Sequence, residues 1–71
     1  MKYIEVDIEI EKSEVFSDIV VARLNEIEFE TFLENENGVR CYIQAILFDK
    51  KKLDIELDKI KKFTKLNFNI N

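Results

Sequence analysis

Hydrophobic and polar residues alternate strictly through the segment YIEVDIEI, from Tyr3 to Ile10. A period of two is typical of a β-strand with one buried face and one face in water. Over about residues 14–27 the apolar positions recur at helical intervals of three and four instead. The pattern therefore predicts a strand followed by a helix, with Ser13 as the helix N-cap.

The next two apolar runs flank Asn37 and Gly38, a dipeptide typical of a tight β-hairpin. Both central residues of a type I′ turn have positive φ, which asparagine and glycine tolerate best. We therefore predict strands over 29–34 and 39–46, joined by Asn37-Gly38. The register follows from pairing Glu36 with Val39, the first residue of the second strand, and counting back from that pair.

That register places Leu33 opposite Tyr42 and Phe32 opposite Ile43, so each strand has one inward and one open face. Cys41 then lies on the same face as Phe32. A lone cysteine on an inward face is more typical of a small core residue than of a reactive thiol.

Asp49 can cap a second helix, whose apolar stripe is Leu53, Leu57 and Ile60. Three lysines follow the cap directly, where the helix dipole disfavours cations, and the pattern gives them no role. Alternation returns over 66–70 and predicts a fourth strand.

The predicted order is βαββαβ, which favours an α+β, ferredoxin-like sandwich with right-handed crossovers. In that fold the sheet is antiparallel in the order 4-1-3-2, and both helices cover one face. The predicted core comprises Ile4, Val6, Ile8, Ile10, Phe16, Val20, Leu24, Phe32, Ile43, Leu57, Ile60 and Phe68. The predicted open face comprises Tyr3, Glu5, Asp7, Glu9, Leu33, Arg40, Tyr42, Gln44 and Asn67.

The chain has 71 residues, a length that indicates one small domain, and no apolar run approaches a membrane helix. The strand pattern begins almost at once, which predicts no signal peptide. A single cysteine cannot form an internal disulfide, so we expect the reducing cytoplasm. The net charge of −4 opposes nucleic-acid binding and is compatible with a basic protein partner.

Histidine, tryptophan and proline are absent from the sequence, and Gly38 is its one glycine. Imidazole chemistry, histidine-ligated metal sites and glycine-rich phosphate loops are therefore excluded. Glu5, Asp7 and Glu9 could form a metal or acid–base cluster, but alternating acids are also the usual way to keep a strand face soluble. We favour the solvated face and predict no catalytic, cofactor-binding or metal-binding residue.

Aromatic residues on an open sheet face can form a protein contact or can simply cover the sheet. Both interpretations stay open here. The candidate partner-binding residues are Tyr3, Glu5, Asp7, Leu33, Arg40 and Tyr42.

Three segments in this order and spacing carry a family resemblance: YIEV at 3–6, EIEFETFLENENG at 26–38, and CYI at 41–43 before Leu47-Phe48-Asp49. Together they resemble the N-terminal domain of ribosomal protein L11 methyltransferases, in the form found in Bacteroidetes-like bacteria. Two positions depart from that family, which usually has glycine at the position of Glu28 and proline at that of Gln44.

The resemblance implies a ferredoxin-like domain that binds a basic ribosomal protein. It also implies a linker and a doubly wound catalytic domain, both outside this sequence, that bind S-adenosylmethionine and methylate amino groups. Residues 1–71 would then be one domain, an N-terminal fragment that binds substrate and performs no chemistry alone. The alternative is a free-standing ferredoxin-like interaction module, which could dimerise through its open face or an edge strand.

Overall fold

The computed structural model describes residues 2–71, which form four strands, two α-helices and one 3₁₀ turn. In chain order these are β1 (Tyr3–Ile10), α1 (Ser13–Asn25), β2 (Thr31–Asn35), β3 (Gly38–Gln44), the 3₁₀ turn (Ala45–Leu47), α2 (Lys50–Lys61) and β4 (Leu66–Ile70). The predicted α+β class with four antiparallel strands and two helices is confirmed. β3 ends before its predicted limit at residue 46, because the 3₁₀ turn takes over at Ala45.

All strand pairs in the described part of the chain are antiparallel, in the order β2-β3-β1-β4. Read from the opposite edge, the order is β4-β1-β3-β2. The central pair aligns Ile8 with Val39, and β4 places Phe68 beside Ile8. Both helices pack into the core cluster that one face of this sheet supplies, and the other face is left open.

Thirteen hydrophobic side chains of the described residues are buried in one cluster. They are Val6, Ile8, Ile10, Val20, Leu24, Phe29, Val39, Cys41, Ile43, Leu53, Leu57, Ile60 and Leu66. Four predicted core residues lie half-buried at the margin of this cluster instead: Ile4, Phe16, Phe32 and Phe68. Those positions lie near strand ends, helix ends or sheet edges, where less of the fold covers them.

The corner between α1 and β2 contains Glu28, the one non-glycine residue of 2–71 with positive φ, at 80°. The Phe29 amide donates to Leu24 O at 3.1 Å, and the Glu28 amide donates to Asn25 O at 3.3 Å. This pair of bonds is a Schellman helix end, whose left-handed residue is usually glycine. The turn folds Phe29 onto Leu24, so Phe29 is buried in the core. Alternation in a strand beginning at residue 29 would instead place Phe29 on the other face of the sheet from Phe32.

The hairpin turn lies one residue before its predicted place. Asn35 pairs with Gly38, so the turn residues are Glu36 and Asn37, and every predicted pairing moves by two positions. A type I′ turn is ruled out, because neither turn residue has positive φ. Instead, Asn35 Oδ1 accepts hydrogen bonds from the amides of Asn37 (2.8 Å) and Gly38 (3.0 Å). A shift of two preserves the predicted faces of both strands.

Gly38 is required because β1 approaches it closely. A Cβ atom at this position would lie 1.9 Å from the carbonyl oxygen of Ile8, and its φ is 154°. Any side chain here would push β3 away from β1.

The two helix N-termini differ in how they are capped. Asp49 caps α2 as predicted, since its carboxylate accepts from the amides of Lys51 (2.9 Å) and Lys52 (3.4 Å). Ser13 is not the N-cap of α1: it is the first helical residue, and its hydroxyl donates to Glu36 O at 2.6 Å. That bond ties the start of α1 to the hairpin turn.

The lysines at the start of α2 have partners that the sequence pattern did not indicate. Lys50 forms an ion pair with Asp54 at 3.0 Å. Its ammonium also lies 5.7 Å from the centre of the Phe68 ring, and that of Lys61 lies 5.9 Å from it. Cations at both ends of α2 therefore cover the half-buried ring of β4.

Replacing Glu28 with glycine should raise the free energy of unfolding by about 1 kcal/mol, because glycine adopts the left-handed conformation without steric cost. Denaturant titration measures this. The matched control is Glu26→Gly, where φ is −68° and glycine should be destabilising by about 0.5–1 kcal/mol. A destabilised Glu28→Gly variant would contradict the assignment.

Candidate protein-interaction surface

The open sheet face is built by alternate side chains of β1, β2 and β3. The six residues predicted to bind a partner all lie on it, namely Tyr3, Glu5, Asp7, Leu33, Arg40 and Tyr42. Cross-strand pairing brings them together: Glu5 lies opposite Tyr42, and Asp7 lies opposite Arg40, which in turn pairs with Leu33.

Two carboxylates of this face, those of Glu5 and Asp7, are bound by neighbouring side chains. Arg40 Nε donates to Asp7 Oδ1 at 2.7 Å, and the Tyr42 hydroxyl donates to Glu5 Oε1 at 2.7 Å. Asn71 Nδ2 joins the two acids, at 2.8 Å from Glu5 Oε2 and 3.0 Å from Asp7 Oδ2. Within residues 2–71 no three acidic, cysteine or histidine side chains converge as metal ligands. The arrangement is a cross-strand hydrogen-bonded network.

Tyr3 belongs to a separate pair of contacts at the start of β1. Its hydroxyl donates to Glu30 Oε1, and Gln44 Nε2 lies 3.5 Å from Glu30 Oε2. The sequence analysis missed Glu30, because alternation in the predicted strand 29–34 places residue 30 on the inward face with Phe32; in the structure β2 begins only at Thr31. A clue was available in its charge, since an acid near the strand end can reach a phenol on the open face.

Hydrogen bonds on this face move the pKa values of Asp7, Tyr3 and Tyr42 away from neutrality. The hydrogen bond from Arg40, aided by Asn71, lowers the pKa of Asp7. Hydrogen bonds to Glu5 and Glu30 raise the pKa values of Tyr42 and Tyr3. A general acid or base works best with a pKa near the ambient pH, and these shifts move Asp7, Tyr3 and Tyr42 away from it.

Apolar area on the open sheet face comes from Leu33 and Tyr3, which are 53% and 47% exposed. Other exposed hydrophobic residues lie elsewhere, and the most exposed of them are Ile46 at 90% and Phe63 at 71%. Neither helix of residues 2–71 has the length and apolar content of a membrane span.

A second surface, the acidic cleft, lies between α1 and the end of β2 and was not predicted. Its volume is about 520 Å³, and it is lined by Ser13, Glu14, Ser17, Asp18, Glu34, Asn35 and Glu36. Glu14 and Asp18 are one helical turn apart and so share a face of α1. Sequence spacing could reveal that pair, but only the folded structure brings the hairpin acids beside it.

Cys41 lies in the core, where its thiol contacts Val6 O at 3.4 Å. Burial raises the pKa of Cys41 to about 12. The thiol is therefore protonated at neutral pH, which agrees with its prediction as a core residue.

The fold and its open sheet face define a class of protein, the small α+β domains that cover one sheet face with helices and expose the other. Comparison with known proteins is more specific. The chain is 44% identical over 54 residues to "Ribosomal protein L11 methyltransferase" of Phocaeicola vulgatus, a match that covers 75% of this chain and 19% of the relative. The protein of that name in Bacteroides fragilis is 38% identical over 58 residues, covering 80% of this chain and 21% of the relative.

The chain is thus a homologue of the N-terminal portion of ribosomal protein L11 methyltransferases, and the predicted resemblance is confirmed. It spans about a fifth of the length of the curated relatives it matches. No family model matches the chain, and no solved structure does.

Replacing Arg40 with glutamine should raise the pKa of Asp7 toward the ordinary aspartate value, because the strongest donor to the carboxylate is removed. The pKa of Asp7 is depressed in the folded state, so the pairing contributes stability above the unfolded-state pKa of about 3.9. That contribution is lost as the pH falls through the pKa of the folded state. NMR titration of the Asp7 carboxyl carbon measures this. Arg23→Gln, which removes a cation elsewhere, should leave Asp7 unchanged; an equal shift in both variants would contradict the local pairing.

The Cys41 thiol should react with an aromatic disulfide reagent only when the domain unfolds, because burial blocks the thiolate. Labelling near pH 8 should therefore accelerate in step with destabilising additions of urea. A labelling rate that is fast and independent of urea would show that local opening exposes Cys41.

Proposed function

We propose that this chain is the N-terminal, substrate-binding domain of a methyltransferase that modifies ribosomal protein L11. The observation that carries the proposal is the 44% identity to the N-terminal portion of a protein with that name. The chain would capture the ribosomal protein, and a catalytic domain beyond residue 71 would bind S-adenosylmethionine and transfer the methyl group. We assign the βαββαβ order to the ferredoxin-like class.

Tethering gives such a domain a physical purpose. Binding one part of the substrate holds the rest near a catalytic domain at an effective concentration of about 1 mM for a short flexible linker. Modest affinity is then sufficient, and rapid release after transfer is preserved. The net charge of −4 favours association with a basic protein at low ionic strength.

We assign the open sheet face to the partner contact, through Tyr3, Glu5, Asp7, Leu33, Arg40 and Tyr42. Leu33 and Tyr3 supply exposed apolar area, and the paired charges around Arg40 supply a fixed pattern of donors and acceptors. Because these polar side chains already hold one another in place, a partner would meet them with little loss of side-chain entropy.

The 71-residue chain has a core of its own and can be tested alone. Calorimetry against L11 of Phocaeicola vulgatus should show binding at tens of micromolar concentration, about the level expected for a weak, salt-sensitive contact. Leu33→Ala should weaken binding about fivefold, because it truncates an exposed side chain at the proposed contact.

Two controls accompany this measurement. Ile55→Ala truncates a similarly exposed residue, 56% accessible, on α2, and should leave the affinity unchanged. Another basic ribosomal protein of similar size should bind more weakly than L11. Absence of binding to L11 at high micromolar concentration would reject the proposal, and a dimer in sedimentation would then favour the free-standing interaction module.

A further inference from the structure

A third surface, the helical groove, lies between α1 and the end of α2. Its volume is about 210 Å³, and it is lined by Phe16, Ile19, Arg23, Lys59, Ile60 and Phe63. The three lining residues of α1 are spaced i, i+3 and i+7, so they share one face of that helix and extend along about 10 Å of it. The groove is therefore about two helical turns long and has side chains of both helices in its walls.

The lining of the helical groove is mostly apolar and partly exposed. Phe63 is 71% exposed and Ile19 is 44% exposed, whereas Ile60 is buried and belongs to the core. An apolar side chain that entered the groove would contact all three residues at once. The volume is below the range of about 300–1,000 Å³ that small-molecule sites usually have, so it suits one or two side chains of a protein better than a free ligand.

The rim of the helical groove is positively charged. Its lining includes Arg23 and Lys59 and no acid. Both cations lie beside the same carboxylate, that of Glu56: Lys59 Nζ is 3.0 Å from Glu56 Oε2, and Arg23 Nη1 is 3.9 Å from Glu56 Oε1. Glu56 Oε1 accepts no hydrogen bond from residues 2–71, so the guanidinium is near this oxygen without being bonded to it. Two half-exposed cations that share one acid leave a net positive charge at the rim.

From the apolar lining and the cationic rim we propose that the helical groove binds an acidic, amphipathic α-helix of a protein partner. Apolar side chains of that helix would pack on Ile19 and Phe63, and its carboxylates would accept hydrogen bonds from Arg23 and Lys59. A helix suits the site because the ridges of one helix pack into the groove between two others. The contact goes beyond the proposed function, since a cationic rim repels a basic substrate.

Two other occupants would also cover an apolar surface with a basic rim. An anionic membrane attracts such surfaces, but it needs apolar side chains that protrude, whereas this site is concave. The net charge of −4 also opposes approach to an anionic membrane. A second copy of the chain is the other occupant, and it would make the signals of the groove residues depend on protein concentration.

The test uses the ¹⁵N-labelled chain and a synthetic helical peptide of about 18 residues, with leucine on one face and glutamate on the other. At about 150 mM salt, where screening limits the effect of net charge, the peptide should shift amide signals of residues 15–23 and 59–63, with a Kd of about 100 μM. A peptide with lysine in place of each glutamate should leave these signals in place, as should vesicles rich in phosphatidylglycerol.

Several outcomes of this titration would overturn the proposal. The first is the absence of shifts at about 1 mM peptide, ten times the expected Kd. The others are equal shifts with the lysine peptide, shifts of the groove signals by the vesicles, and concentration-dependent shifts of those signals without any peptide, which indicate a second copy.

The variant Phe63→Ala should weaken binding of the glutamate peptide about tenfold, because it removes the exposed aromatic wall of the groove. Its matched control is Ile55→Ala, which truncates a 56% exposed residue of α2 outside the groove lining and should stay within about twofold of wild type. Equal affinities for these two variants would contradict a contact in the groove.

The variant Arg23→Gln tests the charge of the rim and leaves Lys59 paired with Glu56. It should weaken binding of the glutamate peptide about threefold, because one charge-assisted contact is lost. Lys51→Gln removes one charge from the start of α2, away from the groove lining, and should change the affinity by less than about 1.5-fold. An equal loss in both variants would show that net charge, rather than the rim, attracts the peptide.

Discussion

The structure depends on the close pairing of β1 with β3 at the centre of the sheet. These strands supply Val6, Ile8, Cys41 and Ile43, which are almost fully buried under the helices. The pairing is possible only because Gly38 has no Cβ where Ile8 O comes near. In a chain this short the loss of one central pair would remove much of the core, since roughly 40% of the surface exposed by the unfolded chain stays exposed after folding.

The same pairing organises the two surfaces. On one side of the sheet, β1 and β3 bring acids, a guanidinium and a phenol into a closed set of hydrogen bonds. On the other side, the hairpin that continues β3 is fastened to α1 by Ser13, and this contact brings the acids of both elements together. On the open sheet face Arg40 pairs with Asp7, whereas the acids of the cleft form no salt bridge within residues 2–71. β2, the edge strand, borders both.

Periodicity predicted the element types, the limits of β1 and the faces of β2 and β3, because burial on one side of a sheet imposes a period of two. The errors occurred where one side-chain hydrogen bond, rather than the hydrophobic pattern, determines the local backbone structure. Asn35 places the hairpin turn earlier through its side-chain oxygen, and Ser13 bonds to a carbonyl distant in sequence. The acidic cleft could not be predicted at all, because its two halves meet only after folding.

A last consequence concerns the two tyrosines. The sequence contains no tryptophan, and both phenols donate to carboxylates on the open sheet face. Such phenols emit weakly, since the carboxylate can take the proton of the excited ring. The tyrosine fluorescence of this molecule therefore originates from that one face. It should become brighter when the carboxylates move away from the phenols and weaker when the hydrogen bonds between them are kept, so no added dye is needed.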